Sequence, residues 1–99
     1  MEINKTLNNG TLTVSPVGRI DIVTAPELEE VIFKNLDGVK AIILDCEQLI
    51  YISSAGLRVV LRAHKRMEKE GGSLKVIHVN ELVMEVFEAM GFVGILTIE

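Results

Sequence analysis

Two adjacent hydroxyls, Ser53 and Ser54, sit in the stretch Tyr51-Ile52-Ser53-Ser54-Ala55-Gly56-Leu57-Arg58, between an apolar segment and an amphipathic one. A serine there can be a nucleophile, a helix cap or a phosphate acceptor. A nucleophilic serine on a strand-to-helix turn is commonly framed as Gly-x-Ser-x-Gly. Here Ile52 stands two residues before Ser54, so only the Gly56 half of the frame is present. A base would also be needed. His64 falls on the apolar stripe of the following segment, roughly 15 Å along a helix axis from Ser54, and reads as a partly buried or rim histidine. His78 closes a predicted strand. Cys46, His64 and His78 share no metal-ligand spacing, and no Gly-rich phosphate loop is present. No catalytic residue, metal or cofactor is expected.

Helix-start chemistry accounts for part of the serine stretch, because Ser53 or Ser54 makes a good N-cap. Gly56 fits that account poorly: inside a first helical turn it costs about 1 kcal/mol relative to alanine. With Ala55 it is expected to leave a flat surface that another backbone can approach closely. The N–H groups and positive dipole end of a helix starting here favour an anion, so a phosphate on Ser54 would sit well. Arg58, Arg62, Lys65 and Lys69 recur at helical spacing as a basic stripe. That stripe is either a solvated face or a rim that meets an acidic partner. Asp21 and Asp45 each read as a local cap or as a functional carboxylate.

The elements that position these residues follow from periodicity. Ile3, Lys5 and Leu7 alternate with polar positions, Asn8-Asn9-Gly10 supplies a turn, and Leu12 and Val14 resume the alternation, which predicts a β-hairpin. Pro16 cannot donate to a ladder, which predicts an edge or a bulge there. Gly18-Arg19-Ile20-Asp21 reads as the strand's close and a loop. Thr24-Ala25-Pro26-Glu27 predicts a capping box with proline in the first turn, then Leu28, Val31, Ile32 and Leu36 at helical spacing, stopped by Asp37-Gly38. Ala41-Ile42-Ile43-Leu44 has the continuity of a strand buried on both faces. Leu57, Val60, Leu61, His64 and Met67 predict a second helix ended by Gly71-Gly72. Leu74, Val76 and Ile77 predict a strand. Asn80 predicts the cap of a third helix with Leu82, Val83, Val86, Phe87 and Met90 inward, and Ile95 to Ile98 a last strand. The order ββαβαβαβ implies an α/β fold: a mixed β-sheet with an N-terminal hairpin, later parallel strands joined by right-handed crossovers, and helices packed on the sheet.

The 99 residues suit one domain, 1–99, with a mostly aliphatic core. A net charge of −4 argues against a nucleic-acid backbone as direct partner. One cysteine excludes an internal disulfide. No apolar run approaches the roughly 18 residues that suggest a membrane span, and no signal core opens the chain. A cytoplasmic monomer is the expectation.

Gly18-Arg19-Ile20-Asp21, Leu44-Asp45, Tyr51 to Leu57, Gly71-Gly72 and Met90-Gly91-Phe92 together resemble the bacterial anti-sigma factor antagonists built on the STAS domain, over nearly the whole chain. The family's Asp-Ser-Ser/Ala-Gly-Leu signature is met by Ser53-Ser54-Ala55-Gly56-Leu57, with Ser53 in place of the usual aspartate. The resemblance implies that Ser54, or alternatively Ser53, is phosphorylated by an anti-sigma factor serine kinase of the histidine-kinase-like ATPase fold. It also implies a metal-dependent serine phosphatase that resets the switch. Asp21, Ser53, Ser54, Ala55, Gly56 and Arg58 are the expected partner-binding residues. The alternative is a STAS module that binds a small ligand or serves a transport or lipid-trafficking complex without phosphorylation.

Overall fold

The computed structural model describes residues 1–99 as seven strands and three helices. Strands β1 (Ile3–Asn8) and β2 (Thr11–Pro16) form the hairpin, and Asn9 and Gly10 at its tip take φ of 51° and 80°. Positive φ at both central residues matches the right-handed twist of the strands that follow. β4 (Ala41–Asp45) and β6 (Ser73–Ile77) add in parallel, and the short β7 (Thr97–Ile98) completes a five-stranded sheet in the order β1-β2-β4-β6-β7. Helices α1 (Ala25–Phe33), α2 (Ser54–Lys69) and α3 (Glu81–Ala89) connect the rest.

One face of the sheet makes the core. Leu12, Ile42 and Leu74 form one row across β2, β4 and β6, and Val14, Leu44 and Val76 the next. These rows join one buried cluster with Leu28 and Ile32 of α1, Leu57, Val60, Ala63 and Met67 of α2, and Val83 and Phe87 of α3. The alternate residues of β4, Ala41 and Ile43, are half-buried. The apolar run at 41–44 therefore marks a central strand with one fully buried face, not two.

Several local expectations are corrected. Pro16 lies in an internal strand. It is tolerated because β4 pairs only with Thr11–Val14, so the missing N–H falls beyond that ladder. Gly18–Ile20 is a strand, β3, and Leu49–Ile52 is another, β5; they pair in parallel as a separate two-stranded sheet. Both were too short to show a period. The capping box at Thr24 does not form: Thr24 is already helical at φ −94°, ψ −17°, and its hydroxyl makes no cap bond. Leu82 and Met90, expected inward, are 47% and 39% exposed, because α3 is a short helix whose buried face is narrowed to Val83 and Phe87. Asn80 does cap α3, accepting from Val83 N–H at 2.7 Å.

Gly56 answers its own anomaly. A Cβ built on it would lie 2.6 Å from Ile20 Cγ2 and 2.7 Å from Ile52 Cγ1. The glycine lets α2 press against the β3–β5 pair. Gly56→Ala is expected to lower the unfolding free energy by up to about 2 kcal/mol, the overpacking cost of about 1–3 kcal/mol less a gain in helix propensity of about 1 kcal/mol. Urea unfolding midpoints measure it; a variant more stable than the parent would show that Ile20 and Ile52 move aside freely.

Candidate functional site

The parallel pairing of β3 with β5 sets Ile20 opposite Ile52, so the chain leaves both strands at the same place. Ser53 N–H donates to the Ile20 carbonyl at 2.8 Å and ties the two exits together. Asp21 and the start of α2 are thereby neighbours, though 32 residues separate Asp21 from Ser53 in the chain.

Ser53 is the N-cap of α2, with extended backbone at φ −88°, ψ 173°, and its Oγ accepts from Gly56 N–H at a long 3.5 Å. That leaves Ser54 as the first helical residue, half-buried, with its Oγ in no hydrogen bond within the protein. Ala55 is half-buried beside it and Arg58, one turn on, is exposed. Gly56 is corrected as a surface residue: it is buried and its missing side chain faces Ile20 and Ile52. The residues of the stretch divide cleanly into a cap, a free hydroxyl and a packing glycine.

The loop from β3 to α1 is held rigid by its own polar groups. The N–H groups of Val23 and Thr24 donate to Asp21 Oδ1 at 2.9 and 3.0 Å, and Thr24 Oγ1 accepts from Asp21 N–H at 2.9 Å. The backbone bonds from Thr24 and Val23 hold the Asp21 carboxyl below its ordinary 3.8, so it is ionised at neutral pH. The cap of this turn is thus Asp21 acting on Thr24, the reverse of the predicted capping box. What the turn presents is Ile22 and Val23, 79% and 75% exposed. Sequence reasoning passed over them. An aliphatic pair between Asp21 and Thr24, outside any period, was the available signal.

Beside this loop runs a groove of about 220 Å³ between α1 and α2, with Ile22, Ala25, Pro26, Ala55 and Val59 as its apolar wall and Glu29, Arg58 and Arg62 at its rim. Arg62 is paired with Glu29 across the two helices, whereas Arg58 makes no ion pair. Arg19 is also engaged, its guanidinium 4.9 Å from the Tyr51 ring centroid. The basic stripe is therefore partly internal wiring, and Arg58 is its free member at the groove.

The remaining candidates lie elsewhere. His64 has a side chain 18% exposed, with Nε2 3.9 Å from Glu68 on its own helix and Nδ1 buried without a hydrogen-bond partner. The Cys46 thiol is buried and pushed up to about 12, chiefly by desolvation. His78, Asp45 and Glu47 assemble at the ends of β6 and β4, with His78 Nδ1 2.8 Å from Asp45 and 3.5 Å from Glu47. Sequence reading did not group these three; adjacency of β4 and β6 brings them together. The hydrogen bond with Asp45 raises the His78 pKa above 6.5. Its contribution to stability is then fully present below pH 6.5 and is lost as the pH rises through the folded value. A proton titration of the His78 ring by NMR is expected to give a midpoint above 6.5 that falls in Asp45→Asn; an unshifted ring in the parent would show the pair is not formed in solution.

A model of the STAS domain matches residues 2–99. The chain belongs to the STAS family. This STAS domain is 38% identical over 88 residues to BtrV of Bordetella bronchiseptica, named as an anti-sigma factor antagonist, covering 88% of this chain and 76% of the relative. It is 29% identical over 91 residues to the anti-sigma-B factor antagonist of Bacillus subtilis, covering 92% of this chain and 84% of that one. Its fold is also that of the Bacillus cell fate determinant SpoIIAA in its phosphorylated form, with a TM-score of 0.78 at 18% identity over 99% of this chain and 91% of the other. No helix of this STAS domain is long and apolar enough to cross a membrane.

Proposed function

We propose that this STAS domain is an anti-sigma factor antagonist that acts by switching partners and not by catalysis. With a free Ser54 it binds an anti-sigma factor, a serine kinase of the histidine-kinase-like ATPase fold, and so frees the sigma factor. ATP then supplies a phosphoryl group to Ser54 Oγ, which loses its proton, and the phosphorylated chain lets go. A metal-dependent serine phosphatase restores the hydroxyl. The names of the relatives support the antagonist role. The observation that carries the choice of residue is the division of labour at the helix start. Ser53 spends its oxygen on the cap, and Ser54 keeps a hydroxyl with no internal bond, beside the Asp21 loop.

Ser53 replaces the family's aspartate, so two hydroxyls compete for the role. Capture of partners from the native cell, followed by incubation of the purified pair with ATP and mass spectrometry, tests both claims. One phosphate is expected, placed on Ser54, lost in Ser54→Ala and retained in Ser53→Ala. Phosphate incorporation that survives Ser54→Ala and disappears in Ser53→Ala would assign the acceptor to the cap residue instead.

A further inference from the structure

Arg58 stands four residues after Ser54 on α2, exposed and without an ion pair. We infer that a phosphate on Ser54 acts through Arg58: the guanidinium meets a partner carboxylate at the groove while Ser54 bears a hydroxyl, and is drawn back onto the phosphate once Ser54 bears one. The inference rests on the reading of Ser54 as the phosphate acceptor and names how that same site is regulated.

Helix geometry makes the capture short-ranged and selective. Side chains four apart are neighbours, about 5–6 Å between Cβ atoms, and each Cα–Cβ bond tilts toward the helix N-terminus. Arg58 therefore leans toward Ser54 by construction. No other cation competes well. Arg62 lies about 12 Å along the axis from Ser54 and is held by Glu29; Lys65 is farther still, about 16 Å. Arg19 lies over the Tyr51 ring. The ionised Asp21, brought next to the start of α2 by the β3–β5 pairing, adds a negative charge there and so offers a phosphate no alternative to Arg58. A planar guanidinium forms paired hydrogen bonds with phosphate or with carboxylate, and while it holds the phosphate its fork is unavailable to the partner. The groove then loses its uncompensated positive charge, since Arg62 is already matched by Glu29. The partner this fits presents an acidic side chain next to an apolar one, matching Arg58 beside Ala55, Val59 and Ile22.

The test uses the full chain with phosphoserine installed at position 54 during synthesis, with Arg58 intact and as Arg58→Gln. A phosphorus NMR titration is expected to give the intact chain a second phosphate pKa lower than that of Arg58→Gln by about 0.15–0.4 units, the size of a helical i,i+4 ion pair. Arg58→Lys, which keeps charge without the fork, should fall between them. In calorimetry against the anti-sigma factor, Arg58→Gln should weaken the unphosphorylated chain about tenfold, as loss of an interface arginine does. The phosphorylated chain should change little, so the ratio of the two affinities shrinks about tenfold. An equal phosphate pKa in the intact and Arg58→Gln chains, or an unchanged ratio, overturns the inference. An intact chain with free Ser54 that binds no anti-sigma factor overturns the functional reading, a result distinct from either.

Discussion

Ser54→Ala binds the anti-sigma factor whether or not ATP is present, and Ser54→Asp binds it poorly while folding normally: this pair of results is the largest effect expected of the site. A phosphate adds about −1.5 to −2 charges to a chain whose net charge is −4. It does so at the first residue of α2, where the helix dipole favours an anion, so the domain keeps its shape. Aspartate at the same position is equally at home in a first turn. The penalty falls on the interface. A partner carboxylate about 4 Å from the phosphate meets a repulsion of roughly 4 kcal/mol per pair of unit charges at an effective dielectric of 20. That is on the order of a thousandfold in affinity, and withdrawal of Arg58 acts in the same direction. Because Ser54 Oγ makes no hydrogen bond inside the protein, neither substitution breaks one. Calorimetric titration of the alanine, aspartate and phosphorylated chains measures the effect. Equal affinities for the three would reduce Ser54 to an ordinary helix residue.

The large features of this fold are legible in the sequence because each carries a local signal of its own: a turn pair, a continuous apolar run or a helical period. The hairpin is set by Asn9-Gly10, the central strand by the apolar run at 41–44, and the sixteen-residue α2 by the stripe from Leu57 to Met67 with Gly71 beyond its end. β3 and β5, with three and four residues, have no period to detect. Their pairing is a long-range event, and it is what brings Asp21 to Ser53. The resemblance to a family grouped Asp21 with Ser53 as partner-binding residues; the residues alone did not. Gly56 shows the opposite failure. Its cost to the helix was visible, but whether its bare Cα faced a partner or Ile20 and Ile52 depended on the helix rotation relative to a sheet not yet recognised. His78 with Asp45 and Glu47 was hidden for the same reason, since two neighbouring strands had to place their ends side by side.

Replacing both Ile22 and Val23 by serine is expected to weaken anti-sigma factor binding by roughly thirtyfold to a thousandfold with almost no change in stability. The loop that carries them does not depend on their side chains. Its shape is fixed by Asp21, which accepts from Val23 and Thr24 N–H, and by Thr24. At 79% and 75% exposure they contribute little to the core, and such surface changes stay within about 0.5 kcal/mol. In a complex the balance reverses. Full burial of an aliphatic side chain is worth about 1.5–3 kcal/mol, so partial burial of two amounts to about 2–4 kcal/mol, which gives the stated range. Ile22 lines the groove with Ala25, Pro26, Ala55 and Val59, so an apolar partner side chain seated there would touch both loop and helix. Asp21→Ala should weaken binding less, since it releases the loop without removing the apolar surface. Leu82→Ser supplies the control: Leu82 is 47% exposed on α3 and does not line the groove. Thermal melts of each variant alongside calorimetry against the anti-sigma factor separate affinity from stability. A double variant that binds as tightly as the parent would place the Ile22–Val23 loop outside the interface, and a control that binds as weakly as the double variant would place the interface on α3.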